Sequence, residues 1–180
     1  MALKATIFKA AIQLADMDRN IYQDINITIA RHPSETDERM MVRVLAFCLQ
    51  LDEGLEFTKG LSSDDEPDLW LKNLSGETQL WIDLGQPDEK RIRKACNRAR
   101  QVVIYSYGGN ATKTWWQQNQ AKLSRYDNLT VVSLDKEVTQ SLAQLAQRNM
   151  VLQCTVQDGQ IWLSSVDDAV LLEPEFLLAS

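Results

Sequence analysis

The stretch from Asp64 to Lys94 constrains the fold more than any other, because it specifies its own pairing. Leu69–Lys72 and Gln79–Leu84 are short runs rich in Trp, Leu and Ile, and Asn73-Leu74-Ser75-Gly76-Glu77 supplies turn residues between them. That is the pattern of a β-hairpin. A turn centred on Ser75-Gly76 pairs residues whose numbers sum to 151: Lys72 with Gln79, Trp70 with Trp81, and Asp68 with Asp83. Directly opposed residues have Cβ atoms about 4.5–5.5 Å apart. Facing tryptophans stabilise such a pair. Facing aspartates repel unless a cation or a shared proton lies between them. The stretch therefore reads as a strand pair with a divalent-metal site at one end, held by Asp68 and Asp83. A slip of one residue would move the two carboxylates to opposite faces and remove the site.

On the N-terminal side, Leu3–Leu14 and Ile21–Ala30 read as two strands of a hairpin, turning through Ala15–Asn20. His32, the only histidine, sits in RHPSE and reads as a capping or hydrogen-bonding residue. Ser34 is placed as the N-cap of a helix running to about Asp52 and ended by Gly54. At 100° per residue, Arg39, Arg43 and Gln50 share one narrow face with Glu35 near its edge, while Glu38 falls among Val42, Leu45 and Leu49. A carboxylate on an apolar stripe is costly unless it is paired or coordinates a metal. Two readings of Glu38 stand: a first-turn residue reaching solvent, or a side chain pointing at the Asp68/Asp83 end of the sheet.

Leu55–Lys59 is a short strand, and Pro87 is placed at the first position of a helix over Asp88–Arg100. That helix carries Lys90, Arg91, Arg93, Lys94, Arg98 and Arg100 against a buried stripe of Ile92, Ala95, Cys96 and Ala99. Most such charge runs are solvated faces; Lys94, which borders Ala95 and lies one turn from Lys90 and Arg91, is the exception whose long side chain could reach back to the sheet end. Gln101–Tyr107 is an apolar, β-branched run suited to a central strand buried on both faces. There follow a helix over Ala111–Arg125 whose Trp115 and Trp116 read as core packing, a strand Leu129–Leu134, and a helix Lys136–Arg148. Met150–Val156 and Gln160–Leu163 form a hairpin across Asp158-Gly159, and Val166–Ser180 reads as a tail without regular structure.

With 180 residues and 44% hydrophobic content, the chain is long enough for one well-buried domain. No apolar run approaches a membrane span and the N-terminus lacks a signal-peptide core, so a cytoplasmic protein is expected. Cys48, Cys96 and Cys154 are widely separated and read as buried thiols, with no metal-ligand spacing. The net charge is −6. A chain this acidic does not hold nucleic acid through bulk electrostatics, so any phosphate contact needs a local basic patch.

Pro67-Asp68, followed across a hairpin by Asp83-Leu84-Gly85, resembles the PD-(D/E)xK nuclease signature. ARHPSETDERMM at Ala30–Met41, DDEPDLW at Asp64–Trp70 and WIDLGQPDEKRIRKA at Trp81–Ala95 are similar to the YaeQ family, over the whole chain. This resemblance implies a bacterial protein with a variant of the PD-(D/E)xK fold. The expected class is α/β: a single domain over 1–180, with a mixed sheet and an αβββαβ restriction-endonuclease-like core at 34–107. An N-terminal β-hairpin and a C-terminal α/β extension complete it.

The resemblance implies no settled activity; the leading functional reading is a divalent-metal-dependent phosphodiesterase acting on nucleic acid. Asp68 and Asp83 would hold Mg²⁺ or Mn²⁺, and Glu38 matches the acidic residue that such sites often take from the first core helix. Gly85 stands where the catalytic lysine would be, so Lys94, or Lys90 after it, would have to supply the charge. Lys90, Arg91, Lys94 and Arg98 would meet the nucleic acid. The alternative is a catalytically silent protein of the same fold that binds nucleic acid or a protein partner. A structural adaptor using Trp115, Trp116 or the tail has no sequence feature in its favour.

Overall fold

In the computed structural model, residues 4–58 and 65–180 are described; Leu3 and Lys59, at the ends of two predicted strands, lie outside them. Their contacts divide the chain into two compact units: Met1–Leu49 with Glu137–Pro174, and Gln50–Lys136 with Glu175–Ser180.

The first unit is built on a five-stranded sheet. β1 (Thr6–Asp16) and β2 (Ile21–Arg31) form the predicted hairpin; β8 (Asn149–Gln157) and β9 (Gln160–Ser164) form the second. β10 (Ala169–Leu172) extends the sheet to the order β10-β9-β8-β1-β2. β1 is strictly alternating, with Phe8, Ala10, Ile12 and Leu14 buried and the residues between them largely exposed, as expected of a sheet with one face on a core. Two helices belong here, α1 (Asp37–Leu49) and α4 (Lys136–Ala143). α1 starts later than predicted. Thr36, not Ser34, accepts the amide of Arg39 at its N-terminus (3.1 Å), while Ser34 is taken up by His32 (Oγ to Nδ1, 2.7 Å). Cys48 and Cys154 are buried, and the Cys48 thiol is pushed up by its hydrogen bond with Cys154 and by burial.

The second unit holds a six-stranded sheet of order β11-β7-β6-β5-β4-β3. Its members are β3 (Glu56–Phe57), β4 (Leu69–Lys72), β5 (Thr78–Leu84), β6 (Gln101–Tyr107), β7 (Leu129–Leu134) and β11 (Glu175–Leu178). β5, β6 and β7 run parallel; the remaining pairs are antiparallel. Between the parallel strands lie α2 (Glu89–Arg98) and α3 (Asn110–Leu123). Consecutive right-handed crossovers between neighbouring parallel strands place both helices on one face. Accordingly Ile92, Ala95 and Ala99 share one core with Trp115, Leu123, Trp81, Val102 and Ile104. Residues 102–106 of β6 are all buried, as predicted for a strand covered on both faces.

The α/β class, mixed parallel and antiparallel pairing, and the order α1-β3-β4-β5-α2-β6 are as the sequence indicates. Two features were not legible. The strands divide between two sheets, because β1 pairs in parallel with β8 (Lys9 beside Asn149 at one end). The tail is not irregular: β10 closes onto β9 and β11 onto β7. Among the described residues no helix is long and apolar enough to cross a membrane.

Candidate functional site

The hairpin carries the expected register. Leu69, Trp70 and Leu71 pair with Ile82, Trp81 and Leu80, and a bulge after Leu71 shifts Lys72 onto Thr78 instead of Gln79. The two tryptophans meet edge to face at 6.4 Å between ring centroids. Asn73 sets the turn: its side chain accepts the amides of Ser75 (3.0 Å) and Glu77 (2.9 Å), and Gly76 takes a positive φ of 85°.

This register brings Asp68 and Asp83 to one end of the pair, both buried. The Asp68 amide donates to Ile82 O (2.9 Å), and its carboxylate Oδ2 accepts the amide of Leu84 (2.9 Å). Asp83 is met by an arginine. Arg91 donates from Nε to Oδ2 (2.9 Å) and from Nη2 to Oδ1 (3.1 Å), and Nη2 also donates to the Glu66 carbonyl (2.8 Å). Burial pushes the Asp83 carboxyl above the ordinary aspartate range. The hydrogen bonds and charge of Arg91 oppose that shift, and the nearby Asp68 charge adds to it. The Trp81 indole N–H gives Asp83 slight support but has no partner in hydrogen-bonding geometry among the described residues.

α2 positions Arg91. Asp88 caps the helix, its Oδ1 accepting the amide of Arg91 itself (2.8 Å), so Pro87 lies one residue before the cap and not at the first helical position. The helix's buried stripe is centred on Ile92, Ala95 and Ala99. At 100° per residue Arg91 lies about 70° from that centre and Lys94 about 130°. Arg91 can therefore fold inward, and Lys94 is carried outward. Lys94 is exposed, lining with Asp88, Lys90 and Arg91 a surface cleft of about 200 Å³. Arg98 is also exposed and reaches Asp65 at 3.7 Å. The helical periodicity that could have singled out Arg91 was present in the sequence.

Gly85 adopts φ +86° with nothing within 4 Å of where a Cβ would stand. Space is available, but a lysine there would need a left-handed backbone that side chains disfavour by about 1–2 kcal/mol. The position is shaped for glycine. Gln86, one residue on, donates to Tyr107 O (2.5 Å) and to the buried, mutually bonded Ser106 and Thr112 hydroxyls.

Glu38 lies in the first unit. It is half-buried, not largely buried, and its Oε2 accepts the Thr139 hydroxyl (2.8 Å). The residue that is deeply buried on this helix's approach is Glu35, ion-paired with Arg43 at both carboxylate oxygens and with Arg39 (2.9 Å). His32 is exposed; its ring Nδ1 bonds to the Ser34 hydroxyl and amide, and its carbonyl accepts the Glu35 amide (2.8 Å).

Magnesium or manganese would draw on carboxylate oxygens here. Both oxygens of Asp83 are bridged by Arg91, and among the described residues no three His, Cys, Asp or Glu side chains converge to hold an ion. As arranged, these residues do not fit a divalent metal.

A second feature is larger. Residues 89–125, spanning α2, β6 and α3, contain nine Lys or Arg and one acidic residue, Glu89, a local charge of +8 in a chain of net charge −6. Eight of the nine are exposed, Arg91 being the exception. Glu89 is engaged by Tyr126 OH (3.2 Å) and Arg125 (3.5 Å). α3 has no acidic residue and exposes Gln117, Gln118 and Gln120 beside Lys113 and Lys122. Cys96 is half-buried, and burial pushes its thiol up to about 11, which disfavours the thiolate.

The YaeQ protein family model matches residues 1–174. The uncharacterized YaeQ protein of Escherichia coli (strain K12) is 53% identical over 173 residues, covering 96% of this chain and 94% of that protein. Its counterpart in Salmonella typhi is 52% identical over 164 residues, 91% of each. Two crystal structures superpose on nearly the whole chain. One is the YaeQ protein of Xanthomonas axonopodis pv. citri, at TM-score 0.95 and 50% identity over 98% of this chain and 99% of that one. The other is the YaeQ protein of Pseudomonas syringae, at TM-score 0.93 and 31% identity over 98% and 97%.

Proposed function

The chain belongs to the YaeQ family, and we propose that it binds nucleic acid through the basic α2–α3 layer. In this reading the scaffold is a variant of the PD-(D/E)xK fold whose Asp68–Asp83 pair carries no catalytic metal. The observation that carries the reading is the charge segregation: +8 over residues 89–125 within an acidic chain. Such a patch draws phosphates by releasing their counterions, which gives sequence-independent affinity that falls steeply with salt. Lys90, Arg93, Lys94 and Arg98 recur at helical spacing on the exposed side of α2, so they meet successive phosphates along one line. The exposed glutamines of α3 add neutral donors for phosphate and sugar oxygens. The fold assignment rests on the αβββαβ order, with Pro67-Asp68 entering β4 and Asp83 within β5.

Binding of a fluorescent oligonucleotide, followed by anisotropy at low salt, tests the interface. Lys90→Glu/Lys94→Glu is expected to weaken affinity by at least about tenfold, as two lost phosphate contacts and two repulsive charges require. Lys4→Glu/Lys9→Glu, the same charge change at exposed positions of the first unit, is expected to shift it by less than about threefold. Equal losses in the two variants would refute an interface on α2–α3.

One observation favours a second reading, the metal-dependent phosphodiesterase: the hairpin register does bring Asp68 and Asp83 to the same end. Mn²⁺-dependent cleavage of DNA or RNA that Asp83→Asn abolishes would establish it over the silent scaffold.

A further inference from the structure

We infer that Arg91 takes the place of a divalent cation at the Asp68–Asp83 pair, so that the chain carries its own permanent positive charge where two such carboxylates would otherwise recruit a metal. The inference does not depend on the nucleic-acid reading.

The donor atoms are the first argument. Among the described residues, both carboxylate oxygens of Asp83 and the backbone carbonyl of Glu66 converge on the Arg91 guanidinium. Carboxylate and carbonyl oxygens are the ligands that a hard divalent ion selects. They come from two segments, the loop entering β4 and the strand β5, and the cation joins them. A planar guanidinium spans a carboxylate with two parallel hydrogen bonds, a geometry that a lysine ammonium in the usual place does not reproduce.

Positioning is the second. The Arg91 backbone is pinned by the Asp88 cap, its side chain is only 25% exposed, and its guanidinium lies 5.9 Å from the face of Trp81. The Asp83 side chain is 4% exposed, so a cation must be supplied there for it to remain ionised. Arg91 supplies it without loss or exchange. A metal ion entering this site would have to displace a charged group held by at least three hydrogen bonds, and would then sit beside its charge.

Mn²⁺ titration, followed by calorimetry and by Tb³⁺ luminescence sensitised through the adjacent Trp81, tests this on the full chain. The wild-type protein is expected to show no Mn²⁺ or Tb³⁺ binding that Asp83→Asn abolishes. Arg91→Met, which keeps an apolar stem and removes the charge, is expected to bind Mn²⁺ at least tenfold more tightly than wild type, and Arg91→Met/Asp83→Asn to lose that gain. Circular dichroism establishes that each variant is folded; should Arg91→Met fail to fold, Arg91→Gln takes its place, and the wild-type comparison with Asp83→Asn stands without either. Asp83-dependent Mn²⁺ binding by the wild type would overturn the inference, as would a folded Arg91 variant that binds no more tightly.

Discussion

Asp83 and Arg91 form an asymmetric pair, and the asymmetry can be measured. The Asp83 side chain is 4% exposed and the Arg91 side chain 25%. Removing the arginine strands a buried charge; removing the aspartate leaves an arginine that can turn to water. Arg91→Met is therefore expected to cost about 3 kcal/mol and Asp83→Asn about 1 kcal/mol, read from urea midpoints. Equal costs would mean that Asp83 is better hydrated than its burial indicates. The pH dependence follows from the direction of the shift. Asp83 titrates above the ordinary aspartate range when folded, so the folded state binds its proton more tightly than the unfolded chain does. Its contribution to stability is most favourable below the unfolded value and declines as pH rises toward the folded one. Without Arg91 the folded value climbs further, and the deficit of Arg91→Met should widen as pH increases through that window. A ¹³C titration of the Asp83 carboxyl checks the direction in both proteins. Glu35 offers a separate test: with a 1% exposed side chain on a 5% exposed Arg43, Glu35→Ala is expected to cost about 3–5 kcal/mol.

At the scale of elements, what was legible and what was not divides along the range of the interaction. The β4–β5 register could be read because it is local: Asn73 and Gly76 define the turn, and a side-chain period of two then places Trp70 on Trp81 and Asp68 near Asp83. The start of α1 was misplaced because Ser34 and Thr36 are both competent caps, and only the folded chain shows Ser34 spent on His32. The identity of the cation was half legible. Arg91 and Lys94 share a helix and a charge, but the angle to the buried stripe separates them, and stem length alone does not. The β1–β8 and β7–β11 pairings join segments far apart in sequence and leave no local trace. The step from β5 into α2 carries its own expectation. Gly85 holds φ +86° in open space, so Gly85→Ala should lose about 1 kcal/mol through backbone strain alone, without steric clash. A neutral effect in thermal unfolding would show that the turn relaxes.

Across the whole chain the dominant physical fact is the separation of charge. In the proposed reading, the net charge of −6 disfavours polyanions over most of the surface and the +8 of residues 89–125 directs them to the two helices on one face of the six-stranded sheet. Binding should therefore be oriented as well as salt-sensitive, with α2 and α3 toward the phosphates. Photocrosslinking to a bromouracil-substituted oligonucleotide at low salt, with the modified peptides identified by mass spectrometry, locates the contact directly. The expected result is that crosslinks concentrate in residues 89–125 and disappear in Lys90→Glu/Lys94→Glu. Crosslinks confined to other parts of the chain, or none at all at low salt, would contradict nucleic-acid binding through this layer.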